Sequence, residues 1–359
     1  MKLRHLWLTD FRSYHQVEVD FPAGLTAIVG ANGEGKTNLL EGVAYLATLG
    51  SFRGAPVEAL VRQGCPAATV RAQVDREGRE LLIEAELAAK GRNRIQVNRQ
   101  RLTRSRDLLG ALRVSVFAPD DLALVKGGPA ERRGYLDDTA VAAQPRLDAV
   151  RTEVARILRQ RNALLQQAAG RLSDEVALTL DVWTAKLVVA GEELTQARLA
   201  LLDQLQPELV AAYQRLAGRP AEVTATYRSA WLDQGLGPAL EAARADEVRR
   251  RVSLIGPHRD DLELGLDGMP ARTHASQGEQ RTLALALRLA AHQVVTTVAG
   301  TPPLLLLDDV FSELDPDRSR ALVDSLGTAQ TLLTTAGPLP PGAVPERVLR
   351  IAEGTVHPG

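Results

Sequence analysis

The chain has 359 residues, enough for one large domain or for two to three smaller ones. Its hydrophobic share of 45% is ordinary for a soluble globular protein, and its formal net charge of −1 excludes a globally basic chain, so any nucleic-acid surface must be local. Cys65 is the only cysteine, which excludes disulfides within the chain and agrees with a reducing cytoplasm. We find no apolar run long enough to span a bilayer and expect no membrane segment.

The first third of the chain is rich in predicted strands. Apolar residues alternate loosely over residues 3–14 and cleanly over residues 17–21, and Leu25–Val29 is an apolar, β-branched run typical of a buried strand. Further strands are predicted at residues 68–74, 81–87, 95–97 and 114–117.

The loop after the third predicted strand fits the phosphate-binding pattern G-x-x-x-x-G-K-S/T. Its residues are Gly30, Ala31, Asn32, Gly33, Glu34, Gly35, Lys36 and Thr37, and a predicted helix follows over residues 38–49. In this context the loop N–H groups and the helix N-terminus would bind a phosphate. Lys36 would reach the β- and γ-phosphates, and the Thr37 hydroxyl would bind Mg²⁺. The alternative is a glycine-rich turn that binds nothing.

A basic segment follows at residues 90–106, which contain no acidic residue. Its basic residues are Lys90, Arg92, Arg94, Arg99, Arg101, Arg104 and Arg106. Such a density of charge predicts a surface that contacts DNA phosphates, chiefly through Arg92, Arg94, Arg99, Arg101 and Arg104. Because no aromatic residue interrupts the segment, we expect contact with the duplex backbone rather than base stacking. The alternative is a solvated β-hairpin with Asn98 in its turn.

The middle of the chain is predicted to be helical. Residues 146–167 and 174–216 carry apolar side chains at helical spacing, and the linker at 168–173 contains a helix-stopping Gly170 and a capping Ser173. This pattern predicts an antiparallel helical pair that forms a short arm. In the second helix the predicted apolar stripe consists of Leu178, Val182, Ala185, Val189, Leu194, Leu199 and Leu202. A weaker candidate for a DNA surface lies on the first helix, at Arg151, Arg156, Arg159 and Arg161.

The last third contains two further motifs. Residues Ser276, Gln277, Gly278 and Glu279 precede an amphipathic helix predicted over 278–295, where a serine and a glycine form either a second anion site or an ordinary N-cap. A buried strand over 304–307 then ends in Asp308 and Asp309. Asp308 is expected to hold Mg²⁺ and Asp309 to polarise water, the alternative being a structural strand end. Strands are also predicted at Val223–Arg228 and Asp261–Leu266, and short strands in 331–359.

The order of these motifs resembles the heads of ABC-type ATPases, including SMC-like proteins, and residues 6–14 resemble the opening strand of that group. Three longer stretches, residues 119–137, 256–261 and 308–315, resemble the RecF family of bacterial recombination mediators. The resemblance spans nearly the whole chain. His258 and Arg259 lie in the second stretch. We interpret His258 as a loop hydrogen-bonding or nucleotide-proximal residue rather than a general base.

The resemblance implies an α/β fold, in which an ABC-type P-loop ATPase head contains an inserted helical lobe with a short antiparallel two-helix arm. The expected parts are 1–118 and 253–359 for the ATPase lobe and 119–252 for the helical lobe. ATP and Mg²⁺ are the expected cofactors. The P-loop residues and Arg12 would bind ATP, Thr37 and Asp308 would hold the metal, and the catalytic residues would be Lys36, Asp308 and Asp309.

The resemblance also implies partners. Two copies would pair head to tail around ATP, with Ser276 and its neighbours Gln277, Gly278 and Glu279 contacting the γ-phosphate bound by the other copy. Family members bind duplex DNA and single-strand/double-strand junctions and act with RecO and RecR to load RecA. We therefore expect a cytoplasmic, nucleoid-associated protein of DNA replication, recombination, repair and the SOS response, with weak DNA-stimulated ATPase activity and no membrane partner.

Three departures from general ABC heads predict slow hydrolysis. In this resemblance Asp308 is the Walker B aspartate, and the residue after it is Asp309 rather than glutamate. Residues 276–280 form the signature, which contains Glu279 where glutamine is usual, and no switch histidine is present near Thr334 and Thr335. Slow turnover suits a switch better than a motor. Of the two rival interpretations, an ABC transporter ATPase disagrees with the short arm and the arginine-rich hairpin, and an SMC-type structural ATPase would need a far longer insertion.

Overall fold

The computed structural model describes residues 1–76, 78–168, 170–171 and 173–359. These residues form two compact units. Unit 1 comprises Met1–Asp121, Ala212–Pro220 and Arg281–Gly359, and unit 2 comprises Leu122–Ala211 and Ala221–Gln280.

The strands are β1 (Lys2–Phe11), β2 (Tyr14–Asp20), β3 (Leu25–Val29), β4 (Ala67–Arg76), β5 (Arg79–Ala88), β6 (Arg94–Val97), β7 (Gln100–Arg101), β8 (Val114–Phe117), β9 (Val223–Arg228), β10 (Asp261–Leu266), β11 (Met269–Pro270), β12 (Leu304–Asp308), β13 (Thr331–Thr335), β14 (Arg347–Ala352) and β15 (Thr355–Pro358). The α-helices are α1 (Lys36–Thr48), α2 (Ala123–Lys126), α3 (Pro129–Ala143), α4 (Leu147–Gln167), α5 (Asp174–Ala217), α6 (Leu236–Arg250), α7 (Ala271–His274), α8 (Gln277–Ala299) and α9 (Pro316–Ser325).

Unit 1 contains an antiparallel sheet, sheet A, with the strand order β2-β1-β4-β5-β6-β7. The loose alternation at the start of the chain has a structural cause, since the pairing of β1 with β4 shifts register between Leu3 and His5. A bulge of this kind lets Leu3, Leu6 and Leu8 all lie in the core. The prediction of one strand over 3–14 was wrong, because the chain turns at Arg12, which has a φ of +53°, and begins β2 at Tyr14.

The second sheet of unit 1, sheet B, has the order β15-β14-β3-β13-β12-β8 and is parallel except for β15. Its strand β12 is buried along its whole length, as expected for a strand covered on both faces. Helix α1 contacts strands of both sheets, and one hydrophobic core joins its buried face to them. In a parallel sheet the carboxyl ends of the strands lie at one edge, so the loops after β3 and β12 come close together.

Unit 2 combines the sheet β11-β10-β9 with a group of helices. Buried residues of α4, α5 and α6 form shared clusters, in which Ile157 packs near Leu187 and Leu165 near Leu180, so α4 and α5 run antiparallel. Helix α6 packs against this pair as a third member that we did not predict. In the predicted linker, Gly170 has a φ of +85° and the Ser173 hydroxyl accepts a bond from the Val176 amide, whereas Ala169 and Leu172 lie outside the described residues.

The predicted apolar stripe of α5 was wrong in its first half. Leu178, Val182 and Val189 are 69%, 54% and 70% exposed, and the core there is formed by Leu180 and Leu187, whereas Leu194 and Leu202 of the predicted stripe are buried. This helix carries apolar residues on more than one face, so periodicity alone did not identify the packed face.

One helix within the described ranges, α8, is long and apolar enough to cross a membrane by length and composition. Of its most apolar window, 56% is buried inside the protein, as in a core helix.

Candidate nucleotide-binding site

The loop between β3 and α1 has the geometry of a phosphate cradle. Gly33 and Gly35 have φ values of +87° and +109°, a region that favours glycine. A Cβ atom on Gly30 would lie 2.4 Å from the Ile351 carbonyl oxygen, and one on Gly35 would lie 2.7 Å from Ser13 Oγ. Only glycine therefore allows the loop to lie this close to its neighbours.

The lysine of the loop points back across it. Lys36 is buried, and its Nζ donates to the carbonyl oxygens of Gly30 and Ala31 at 2.8 Å each. Tyr14 is also buried, and its hydroxyl donates to the Gly35 carbonyl at 2.9 Å, while burial raises the pKa of this phenol. The ammonium group therefore lies at the mouth of the loop, where phosphate oxygens would replace the two carbonyls as acceptors.

The two halves of the predicted site meet through one hydrogen bond. The Thr37 hydroxyl donates to Asp308 Oδ1 at 2.8 Å, and the Thr334 hydroxyl donates to the same oxygen at 2.8 Å. Burial raises the pKa of Asp308, and the hydrogen bonds from Thr334 and Thr37 oppose that rise by favouring the carboxylate. The structure thus brings Thr37 and Asp308 together, and Thr334 is a contact that the motifs did not identify.

Asp309 follows with an unusual backbone. Its φ is +50°, its N–H donates to Thr334 Oγ1 at 3.0 Å, and its carbonyl accepts a bond from Ser312 Oγ at 2.8 Å. The next residue of β13, Thr335, accepts a hydrogen bond from the Gly337 amide at 3.1 Å through its hydroxyl.

These residues fit a magnesium nucleotide. The loop leaves no room for a side chain at Gly30 and Gly35, and the residues beside it supply a hydroxyl and a carboxylate, the hard oxygen ligands that Mg²⁺ prefers. Mg²⁺ at such sites is commonly held by one or two protein oxygens together with substrate phosphates. Thr37 and Asp308 would hold the metal, and Lys36 with the loop amides would bind the phosphates. The metal would supply electrostatic stabilisation of the transferred phosphoryl group.

Arg12, predicted to bind ATP, is held by a buried carboxylate. Its Nε and Nη2 donate to Glu41 at 2.7 and 2.9 Å, and its Nη1 donates to the Ala59 carbonyl at 3.0 Å. Glu41 lies in α1 and is fully buried, and the Ser51 hydroxyl also donates to it. The pair therefore connects the turn after β1 to the helix that follows the P-loop.

Comparison with known proteins places the chain in a family. A family model described as the RecF/RecN/SMC N-terminal domain matches residues 2–335. The DNA replication and repair protein RecF of Streptomyces avermitilis is 44% identical over 375 residues, which cover 99% of this chain and 100% of that protein. The chain belongs to the RecF family. The RecF of Kineococcus radiotolerans is also 44% identical, over 97% of this chain and 94% of that protein.

Solved structures agree with this family assignment. The recombination mediator protein RecF in the RecFOR pathway, described as RecF-ATPrS and as RecF-ATP, matches with a TM-score of 0.91 in both cases. The identities are 26% and 27%, over 99% of this chain and 98% and 97% of those chains. A Smc head domain from Pyrococcus furiosus has a similar fold, with a TM-score of 0.58 at 18% identity over 99% of this chain and 94% of that chain. The predicted family and the predicted ABC-type head fold are confirmed.

The signature segment of this RecF-family chain forms a capping box. The N–H and the hydroxyl of Ser276 both donate to Glu279 Oε2 at 2.9 Å, and the Glu279 amide donates back to Ser276 Oγ at 3.3 Å. Gln280 is buried, and its Nε2 donates to the Ala271 and Arg272 carbonyls at 3.1 Å. Ser276 is thus the N-cap of α8 and is exposed. Its hydroxyl would have to leave Glu279 to donate to a phosphate.

The basic segment of this RecF-family chain forms the hairpin β6–β7 at the edge of sheet A. Asn98 and Arg99, with φ values of +51° and +65°, form its turn. The five predicted DNA contacts are all exposed, namely Arg92, Arg94, Arg99, Arg101 and Arg104. Arg94 lies 3.8 Å from Glu86, and the other four make no ion pair within the described part of the chain. Arg99 also lines a cavity of about 330 Å³ with Arg71 and Glu84.

The alternative surface on α4 is less available. Arg161 is fully buried and donates to Glu247 at 2.6 Å, and Arg151 donates to Asp138 and Asp148 at 2.7 Å each. Arg156 is paired with Glu153 at 2.6 Å. Three of the four predicted arginines on this helix are therefore held in ion pairs, and Arg159 is exposed.

His258 is hydrogen-bonded to the backbone of its own loop. Its Nε2 bonds to the Ser253 carbonyl at 3.1 Å, which Arg259 also contacts at 3.0 Å. Its Nδ1 is buried without a hydrogen-bond partner among the described residues. Burial lowers the pKa of this histidine to about 4, and the nearby cations Arg259, Arg133 and Arg161 add to the effect. The imidazole is therefore neutral at pH 7 and holds the loop before β10.

Proposed function

We propose that this chain is an ATP-dependent DNA-binding mediator of recombinational repair. It binds Mg-ATP at the P-loop, pairs with a second copy around ATP on DNA at single-strand gaps and junctions, and acts with RecO and RecR to promote RecA loading. The observation that carries the proposal is the bond between Thr37 and Asp308, which completes a P-loop and acidic-strand site in a member of the RecF family.

ATP is the proposed ligand for two reasons. The cradle, Lys36 and the Thr37–Asp308 pair offer cationic, amide and hard oxygen partners that match a magnesium triphosphate. In addition, the RecF structures that resemble this chain are described with ATP and ATPrS. Lys36 binds the phosphates, Thr37 and Asp308 hold Mg²⁺, and Asp309 polarises the attacking water.

Hydrolysis serves as a release step rather than a motor. Asp309 is one methylene shorter than the glutamate of general ABC heads, and no switch histidine is present near Thr334 and Thr335 to act as a proton-transfer group. We expect turnover well below about 10 s⁻¹, the median for enzymes. ATP and ADP then differ in how well they bridge two copies, so that nucleotide state controls the dimer.

Ser276 of one copy completes the site of the other. It is exposed at the N-terminus of the 23-residue helix α8, where backbone amides and the helix dipole favour an anion. A γ-phosphate bound by Lys36 of a second copy supplies that anion.

DNA is bound by the exposed hairpin arginines. Arg94, Arg99 and Arg101 lie in the hairpin β6–β7, and Arg92 and Arg104 flank it. Four of the five have no carboxylate partner among the described residues, so their charge is available to phosphates. Arg92, Arg94, Arg99, Arg101 and Arg104 therefore form the duplex-contacting surface.

The test of the ATP-dependent dimer is the molar mass of the full chain by light scattering in Mg-ATP and in Mg-ADP. The wild type should be a dimer in ATP alone. Ser276→Arg should still bind ATP but remain a monomer, and Thr152→Arg, an exposed control on α4, should behave as the wild type. A chain that binds ATP and remains a monomer under every condition would contradict the dimer and favour a partner-dependent or DNA-dependent ATPase.

A further inference from the structure

Thr334 lies between the two halves of the nucleotide site. It belongs to β13, and in the parallel pairing it is opposite Asp308 of β12 and Ile28 of β3. Its side chain is 1% exposed. A polar group at such a position needs hydrogen-bond partners, and its partners identify what it does.

The single hydroxyl of Thr334 contacts both acidic residues. It donates to Asp308 Oδ1 at 2.8 Å and accepts the bond from the Asp309 amide at 3.0 Å. Because a hydroxyl has one proton and two lone pairs, it can make both bonds at once. The oxygen that receives the Thr334 proton also receives that of Thr37, so the two hydroxyls together set the direction of the carboxylate.

The hydrogen bond from the Asp309 amide to Thr334 has a second consequence. Asp309 has a φ of +50°, which is uncommon for a residue other than glycine and persists where the surroundings hold it. Its amide is held by Thr334 and its carbonyl by Ser312 at 2.8 Å. These two hydrogen bonds hold the backbone of Asp309 and therefore determine the position and direction of its Cα–Cβ bond.

We propose that Thr334 is a positioning residue for ATP hydrolysis. Its hydroxyl orients the Asp308 carboxylate towards Thr37 and fixes the backbone of Asp309, so it acts through these residues and has no direct contact with the nucleotide. This inference rests on the proposed ATP-binding function. Partners of this kind typically change metal affinity or activity by about 10- to 100-fold when they are removed.

The test compares three variants of the full chain. Thr334→Val removes the hydroxyl with little change of shape, and Thr334→Ser retains it. Thr331→Val is the matched control, since Thr331 lies in the same strand, is 2% exposed, and donates to the Ala329 carbonyl at 3.1 Å, outside the site. For each variant we would measure ATP hydrolysis and the affinity for ATP with and without Mg²⁺.

We expect Thr334→Val to lower hydrolysis by about tenfold or more and to reduce the gain in ATP affinity that Mg²⁺ provides. ATP affinity without Mg²⁺ should change by less than about twofold, because the P-loop amides and Lys36 are untouched. Thr334→Ser should stay within about threefold of the wild type in every measurement, and Thr331→Val should match the wild type.

Equal rates for Thr334→Val and Thr331→Val would overturn the inference. If Thr334→Val shows no cooperative thermal transition, the pair Thr334→Ala and Thr331→Ala replaces it, and a loss in Thr334→Ser as large as that in Thr334→Ala would also overturn the inference. A wild-type chain with no measurable ATP binding would instead overturn the proposed function, and the inference with it. The two failures are therefore distinguishable.

Discussion

Thr37 and Asp308 are 271 positions apart in the sequence, and the hydroxyl of Thr37 donates a hydrogen bond of 2.8 Å to the carboxylate of Asp308. Thr37 lies in the first turn of α1 after β3, and Asp308 ends β12, with β13 as the strand between them. Because all three strands are parallel, the residues at their carboxyl ends share one edge of sheet B. The candidate site is therefore built by strand order.

Asp308→Asn should separate binding from hydrolysis. The amide oxygen can still accept the bonds from Thr37 and Thr334, but the negative charge that would hold Mg²⁺ is removed. We expect hydrolysis to fall by about 100-fold while ATP affinity without Mg²⁺ stays within about threefold. Steady-state phosphate release measures the hydrolysis rate, and ATP titration without Mg²⁺ measures the affinity. The exposed Asp324→Asn on α9 is the control, and full activity in Asp308→Asn would exclude Asp308 from the metal site.

The hairpin arginines should account for most of the salt dependence of duplex binding. Changing Arg92, Arg94, Arg99 and Arg101 to alanine should weaken binding and lower the slope of log affinity against log salt by about three to four, because each arginine that no longer neutralises a phosphate lowers the slope by nearly one. Fluorescence anisotropy with duplex DNA at several salt concentrations provides the slope.

The control for the hairpin variant removes four other exposed arginines, Arg249, Arg250, Arg251 and Arg320. An equal decrease of the slope in both quadruple variants would mean that total charge, and not the hairpin, determines binding.

Glu279→Gln should strengthen the ATP-dependent dimer. In the capping box the Glu279 carboxylate accepts both donors of Ser276, so its negative charge competes with an incoming γ-phosphate. Glutamine can still cap α8 but is neutral. We expect the dimer dissociation constant in Mg-ATP to fall by about two- to fivefold, equivalent to a surface charge interaction of about 0.5–1 kcal/mol. Sedimentation or light scattering at several concentrations measures it. Glu241→Gln on α6 should leave the constant unchanged, and a weaker dimer in Glu279→Gln would argue against the competition.

His258 should make stability depend on pH. Its pKa is lowered to about 4 from 6.5 by burial, so the folded state favours the neutral ring. Between pH 6.5 and 4 the unfolded chain therefore binds a proton that the folded chain does not, and the free energy of unfolding falls by up to about 1.4 kcal/mol per pH unit as the pH is lowered.

His258→Gln should reduce the difference in unfolding free energy between pH 7.5 and pH 5, as measured by denaturant titration at about those two values. His274→Gln, at an exposed histidine of the same unit, serves as the control for the loss of a histidine. An unchanged difference in His258→Gln would mean that other groups cause the pH dependence.

Several features could be predicted because they are local. The P-loop is one contiguous segment whose strand, glycines and helix are adjacent in the chain, and β3 and α1 have nearly the predicted bounds. The start of α9 also had a local signal that we did not use, since Asp315 accepts a bond from the Arg318 amide and Pro316 follows it. Helices α3 and α6 lack a clear apolar stripe, which explains why periodicity did not reveal them.

The sequence by itself determined the chemistry that this protein has available: a phosphate loop, an acidic strand end, a cluster of hairpin arginines and the RecF-family order of motifs. Only the tertiary structure decided which of these groups meet. It brought the hydroxyls of Thr37 and Thr334 to the same oxygen of Asp308, paired Arg161 with Glu247, and left Val189 exposed. The physical reason is that charge, side-chain type and periodicity are properties of short segments, whereas strand register and helix packing depend on residues far apart in the sequence.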